Sequence, residues 1–151
     1  MNADRFVLDS SVAVAWFFPD TESERLYAAS VLRMIDEGAT ANVPVLFHIE
    51  VAEFLLRKRR TRLARFSQPR LDAAFDDLDG LGLETVIVHA LYRDVAGWAQ
   101  EYHVQVKDAP FVHLAVQNRI PLATLDGGQR QALRSMNMPL VVFNQEQLLS
   151  H

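Results

Sequence analysis

Five short apolar runs punctuate the chain: Phe6-Val7-Leu8, Ala41-Asn42-Val43, Thr85-Val86-Ile87-Val88, Pro121-Leu122-Ala123-Thr124-Leu125 and Leu140-Val141-Val142-Phe143. None sustains an alternation of apolar with polar residues; Asn42 is the single polar interruption in its run. A strand with one wet face would alternate, because successive side chains point to opposite sides. Unbroken runs belong to strands covered on both faces, and segments of helical spacing lie between them. The pattern predicts an α/β fold, a parallel sheet with helices on both sides. Ser10 and Ser11 start one helix, which Pro19 stops. Thr21 with Glu24 forms a capping-box signature for a helix carrying Leu26, Ala29, Leu32 and Ile35, which ends at Gly38. Pro44 fits the first turn of an apolar helix through about Leu56, and Pro69 opens another with Leu71, Phe75 and Leu78. Further helices are expected over 91–103, about 108–118 and 128–136, with a short terminal helix after the last run.

The 151 residues suit one domain, 1–151, and half of them are hydrophobic, enough for a proper core. No apolar run reaches the roughly 18 residues of a membrane span. The polar start, Met1 to Arg5, leads straight into Phe6, so no secretory leader is read. The absence of cysteine removes disulfides, zinc ribbons and Cys nucleophiles, and fits a cytoplasmic protein. The net charge of -4 argues against nucleic-acid binding. Its distribution argues the other way. Of fifteen basic residues, seven fall in one stretch: Arg57, Lys58, Arg59, Arg60, Arg62, Arg65 and Arg70. That stretch reads either as a solvated helix face or as a phosphate-contacting patch, since the guanidinium fork matches phosphate oxygens.

Four carboxylates stand out. Asp9 and Asp126 each end an apolar run and precede a helix. In open parallel sheets, ligands bind beyond the carboxyl ends of the strands. Each acid also has an ordinary reading, a helix cap for Asp9 and turn chemistry before Gly127-Gly128 for Asp126. Glu50 is harder to dismiss. Its neighbours at helical spacing are Leu46, Phe47 and Phe54, so its carboxylate needs a cationic partner. Glu53 has Arg57 four residues on, and His48 reads as a surface or capping residue. Asp108 starts a helix, where N-capping is the simple explanation; His113, five residues on, faces away from it. No metal-binding His pair, GxSxG turn or Gly-rich phosphate loop is present. Carboxylates crowded in a partly dry crevice repel one another, so either some are protonated or a divalent cation holds them. Oxygen ligands without His or Cys select Mg²⁺ or Mn²⁺, which activate water and stabilise a transferring phosphate. Together with an arginine-rich arm, this suggests phosphodiester hydrolysis.

The segments Val7-Leu8-Asp9-Ser10-Ser11-Val12, Glu50-Val51-Ala52, Lys107-Asp108-Ala109 and Leu122-Ala123-Thr124-Leu125-Asp126 resemble the four acidic signatures of PIN-domain ribonucleases. Length and layout are most similar to the VapC-type toxins of toxin–antitoxin modules. The resemblance implies a five-stranded parallel sheet in order 3-2-1-4-5, with the strands before Asp9 and Asp126 side by side. It implies a Mg²⁺- or Mn²⁺-dependent endoribonuclease acting on transfer or ribosomal RNA, a homodimer, and a cognate antitoxin. It makes Asp9, Glu50, Asp108 and Asp126 the catalytic, metal-binding acids, with Ser10 and Thr124 hydrogen-bonded beside them. Arg57, Arg59, Arg60, Arg62 and Lys107 become contacts to substrate or antitoxin. Two positions depart from the family pattern: Glu53, where Asn is frequent, and Lys107, where an aromatic residue is frequent. Two other readings compete. One is a PIN-like module that binds RNA or protein through its basic arm without cutting. The other is a receiver- or phosphatase-like protein with Asp9 as phospho-acceptor, disfavoured because Ser11 stands where a second Asp is wanted.

Overall fold

The computed structural model describes residues 4–61 and 65–141. The sheet is built from β1 (Arg5–Leu8), β2 (Thr40–Pro44), β3 (Glu84–Val86) and β4 (Leu122–Ala123), all parallel, in the order β3-β2-β1-β4. Phe6, Val7 and Leu8 are fully buried. Adjacent strand residues face opposite sides, so both faces of β1 are covered. Register pairs Val7 with Asn42 on one side and with Leu122 on the other. Asn42 is the one polar side chain inside this strand pair, and it is satisfied. Its Oδ1 accepts from Arg5 Nη2 at 2.9 Å, and its Nδ2 donates to the Phe6 carbonyl at 3.4 Å.

The expected five-stranded sheet is corrected to four strands among the described residues. At the position of the fifth, Leu140 forms an isolated parallel bridge to Leu122, and Val141 N–H donates to the Leu122 carbonyl at 3.0 Å. The remainder of that run, from Val142, and the terminal helix lie outside the described residues, as does Arg62. The third strand is also shorter than its apolar run. Its last partner, Pro44, is where β2 gives way to helix, so Ile87 and Val88 have no strand to pair with and stand 82% and 44% exposed.

The helices are α1 (Ser10–Phe17), α2 (Glu22–Asp36), α3 (Val45–Thr61), α4 (Gln68–Asp79), α5 (Tyr92–Tyr102), α6 (Ala109–Asn118) and α7 (Gly127–Ser135). Helix α6 lies on β1, β2 and β4 and is backed by α5 and α7; α1 packs on α2 and α3, and α3 on β2 and α4. Phe6, Phe47, Leu55, Phe111, Leu122 and Leu133 fill the interior, each worth ~1.5–3 kcal/mol relative to exposure. Thr21 caps α2, its hydroxyl accepting from Glu24 N–H at 3.1 Å. The Glu24 carboxylate reaches Asp20 N–H at 3.0 Å, one residue further back than a capping box requires. Gly38, at φ 105°, turns the chain out of α2 in a conformation that side chains disfavour. Among the described residues no helix is long and apolar enough to cross a membrane.

Candidate active site

Because β1 and β4 are neighbours, the segments that follow them start from the same end of the sheet. Asp9 immediately follows β1 and is 3% exposed. It caps α1, accepting from Ser11 N–H at 3.2 Å through Oδ2. The same oxygen accepts from the Ser11 hydroxyl and from Thr124 Oγ1, the latter at 3.1 Å. Its Oδ1 accepts from Gln129 Nε2 at 3.1 Å, and that nitrogen also donates to Asp108 Oδ1 at 3.1 Å. Asp108, 8% exposed, precedes α6 but makes no side-chain cap bond. Its carboxylate turns instead toward Gln129 and Lys107, whose Nζ lies 3.8 Å from Oδ1. The simple capping explanation therefore holds for Asp9 and fails for Asp108.

Glu50 lies half-buried on α3, and its Oε1 accepts from Ser10 Oγ at 3.2 Å. Asp126 caps α7, with Oδ1 accepting from Gln129 N–H at 2.8 Å, while its own N–H donates to Thr124 Oγ1 at 3.0 Å. Fully buried Thr124 thus ties the ends of β1 and β4 together from behind. Asp9, Glu50, Asp108 and Asp126 line one open crevice of about 360 Å³, with Ser10, Ser11, Glu53, Arg57 and Lys107 also on its walls.

The electrostatics follow from burial. Desolvation pushes the Asp9 carboxyl above its ordinary value, although Ser11, Gln129 and Thr124 all donate to its charged form. Glu50 is pushed up first by burial and then by the negative charge of Asp9 and, less, Asp108; Ser10 and Lys107 oppose this. The cationic neighbour that Glu50's apolar surroundings demanded is Lys107, from outside its own helix. The crevice offers only oxygen donors from its acids, with neither His nor Cys among its lining residues. That chemistry fits a hard divalent cation, whose charge is what the cluster lacks. As placed, no group of three or more His, Cys, Asp or Glu side chains among the described residues surrounds a point that an ion could take.

The basic stretch does not form one face. Arg57 lines the crevice and sits 5.7 Å over the Phe54 ring. No ion pair joins it to Glu53 among the described residues; both stand on the crevice wall. Lys58 lies over the Phe18 and Phe54 rings, and Arg60 is exposed away from the crevice. Arg59 has Nε and Nη1 buried without a hydrogen-bond partner among the described residues. His48 contacts Thr85 Oγ1 at 2.8 Å, and His113 stacks on Trp98 at 3.7 Å, both outside the crevice lining. Two members of the site were not singled out in the sequence. Ser11, second hydroxyl of the Asp-Ser-Ser segment, bridges Asp9 to Leu125 N–H at 3.0 Å. Gln129 lies three residues after an N-cap Asp, and that spacing was its signal.

Neither a family model nor a curated protein matches the chain. Solved structures do. PAE2754 from Pyrobaculum aerophilum is 18% identical with TM-score 0.61, over 85% of this chain and 78% of that one. VapBC2 from Rickettsia felis, solved bound to a DNA fragment from their promoter, is 13% identical with TM-score 0.60, over 93% and 99%. FitAcB from Neisseria gonorrhoeae is 16% identical with TM-score 0.53, over 92% and 96%. The chain shares the fold of these three proteins, in line with its resemblance to the PIN-domain, VapC-type group.

Proposed function

We propose that the protein is a metal-dependent endoribonuclease, the toxin of a toxin–antitoxin pair. The observation that carries the nuclease reading is the shared crevice, four acids from widely separated segments facing one space with Arg57 and Lys107 on its rim. The toxin reading is supported by the VapC-type sequence resemblance and by the fold shared with VapBC2 and FitAcB. With it come a cognate antitoxin, a cytoplasmic setting and a homodimer as parts of the same proposal.

Asp9, Glu50 and Asp108 are the residues to hold a Mg²⁺ or Mn²⁺ ion, with Asp126 completing that set or helping a second ion. When bound, such an ion supplies charge neutralisation at phosphate and a water acidic enough to attack near neutral pH. The chain's own groups do the rest. Ser11 and Thr124 hold the Asp9 carboxylate through Oδ2, which leaves Oδ1 as its less committed face. Ser10 orients Glu50. Arg57 and Lys107, which line the crevice, would meet the phosphate oxygens of single-stranded or looped RNA, a transfer or ribosomal RNA in this reading. Burial of Asp9 and half-burial of Glu50 leave their own charges less screened by bulk water than those of exposed acids.

The test is cleavage of a total-RNA mixture by the native protein with Mg²⁺, with EDTA, and by Asp9→Asn. The expected outcome is Mg²⁺-dependent cleavage reduced about 100-fold or more in the variant, as for loss of one preorganised charge. Cleavage that persists in EDTA or in Asp9→Asn would overturn the mechanism. Tight RNA capture without turnover would replace it with a binding module.

A further inference from the structure

Gln129 has a position that core filling does not explain. It is 1% exposed, beside Ala132 and Leu133 on the buried side of α7. An apolar residue would fill that volume at less cost, because the Gln129 amide oxygen is buried without a hydrogen-bond partner among the described residues. What the amide gains is specific. Its nitrogen donates at 3.1 Å to Asp9 Oδ1 and at 3.1 Å to Asp108 Oδ1, one hydrogen to each carboxylate. The opposite orientation of the amide would aim an oxygen at two acids, so their charge sets which way it points. Its backbone N–H is held by Asp126 Oδ1 at 2.8 Å, so a third acid of the crevice anchors the same residue. Lys107 only pairs with Asp108 at 3.8 Å, so among the described residues Gln129 is the hydrogen-bond donor that Asp108 and Asp9 share.

We propose that Gln129 is a positioning residue: its side-chain amide holds the Asp9 and Asp108 carboxylates together and presents them as a pair to a divalent cation. This rests on the metal-binding reading above. Two like charges placed together repel, and a neutral double donor offsets that repulsion without occupying both lone pairs of either oxygen. Hydrogen-bonding partners of metal-binding carboxylates hold their ligands in this way in other sites.

The experiment has two arms, using Gln129→Met, which keeps the volume and removes both donors. The first arm is a Mn²⁺ titration followed by calorimetry. Affinity is expected to fall about 10–100-fold in Gln129→Met. The second is a double-mutant cycle in EDTA with Asp108→Asn, read as melting temperature. Asp108→Asn is expected to raise the melting temperature more in the Gln129→Met background, where repulsion is no longer offset, than in the native one. Unchanged Mn²⁺ affinity together with additive melting shifts overturns the proposal. A native protein that binds no Mn²⁺ overturns the metal reading instead, and the EDTA cycle then decides Gln129 by itself. Should Gln129→Met not fold, Gln129→Glu is measured: it turns both donors into acceptors at the same size and is expected to need Asp108→Asn or Mn²⁺ to reach native stability. Native-like melting of Gln129→Glu in EDTA also overturns the proposal.

Discussion

At the scale of single residues, the crevice reverses the usual effect of pH on carboxylates. Glu50 and Asp9 have ordinary values of 4.5 and 3.8, and both are raised in the fold. The folded state therefore holds these protons more tightly than the unfolded chain. Their contribution is most favourable at and below the ordinary carboxylate range, and it is lost as pH rises through the raised values. In EDTA, Glu50→Gln removes one of these groups. Its melting temperature relative to native is expected to climb as pH rises from about 4.5 toward neutrality. Melting curves at several pH values check this, and a constant difference would contradict it. Glu50 was legible because a lone acid among Leu46, Phe47 and Phe54 has no ordinary explanation. Asp9 was legible only in part, since it caps a helix and faces the crevice at once. Gln129 carried only the local signal of its spacing from Asp126; its side-chain role was hidden, because a polar residue in a first helical turn reads as solvated unless the partners across the fold are known.

Single elements carry a second lesson. Asp126 starts α7, and its capping bond is independent of any ion. Asp126→Ala is expected to cost about 0.5–2 kcal/mol in urea denaturation, whereas Asp126→Asn, which also caps, stays near native stability. If Asp126→Asn retained full RNA cleavage, the residue would be a cap alone. Helix starts were well marked in the sequence, at Thr21 by its cap and at Pro44 by a proline directly before α3, because both signals are local chemistry. Strand ends were not. Thr85 to Val88 reads as one run, yet pairing stops at Val86 because its neighbour has already turned into helix at Val45. Where a strand ends depends on a partner that no local pattern contains. The basic stretch shows the same limit: composition grouped its residues, while helical geometry sent Arg57, Lys58 and Arg59 to different surroundings.

For the molecule as a whole, apolar runs without alternation were enough to read a covered parallel sheet. Strand order was not in the periodicity and came with the family resemblance. Charge behaves similarly: the sum of -4 hides acids collected in one crevice. Mg²⁺ binding only to the folded state is expected to raise stability by about 2.7 kcal/mol at a hundredfold excess over Kd. A melting temperature indifferent to Mg²⁺ up to millimolar levels would count against a metal centre. The pairing of β1 with β4 has a further consequence in time. Asp9 and its partner Thr124 are 115 positions apart, and Gln129 lies 120 from Asp9. During synthesis at ~5–20 residues per second, Asp9 has to wait on the order of 10 s for these partners. A nascent chain still held by the ribosome lacks its fourth acid and its bridging amide until nearly all of these residues have emerged. Until then Asp9 stands at the end of β1 without its Thr124 and Gln129 donors, and the crevice is unfinished.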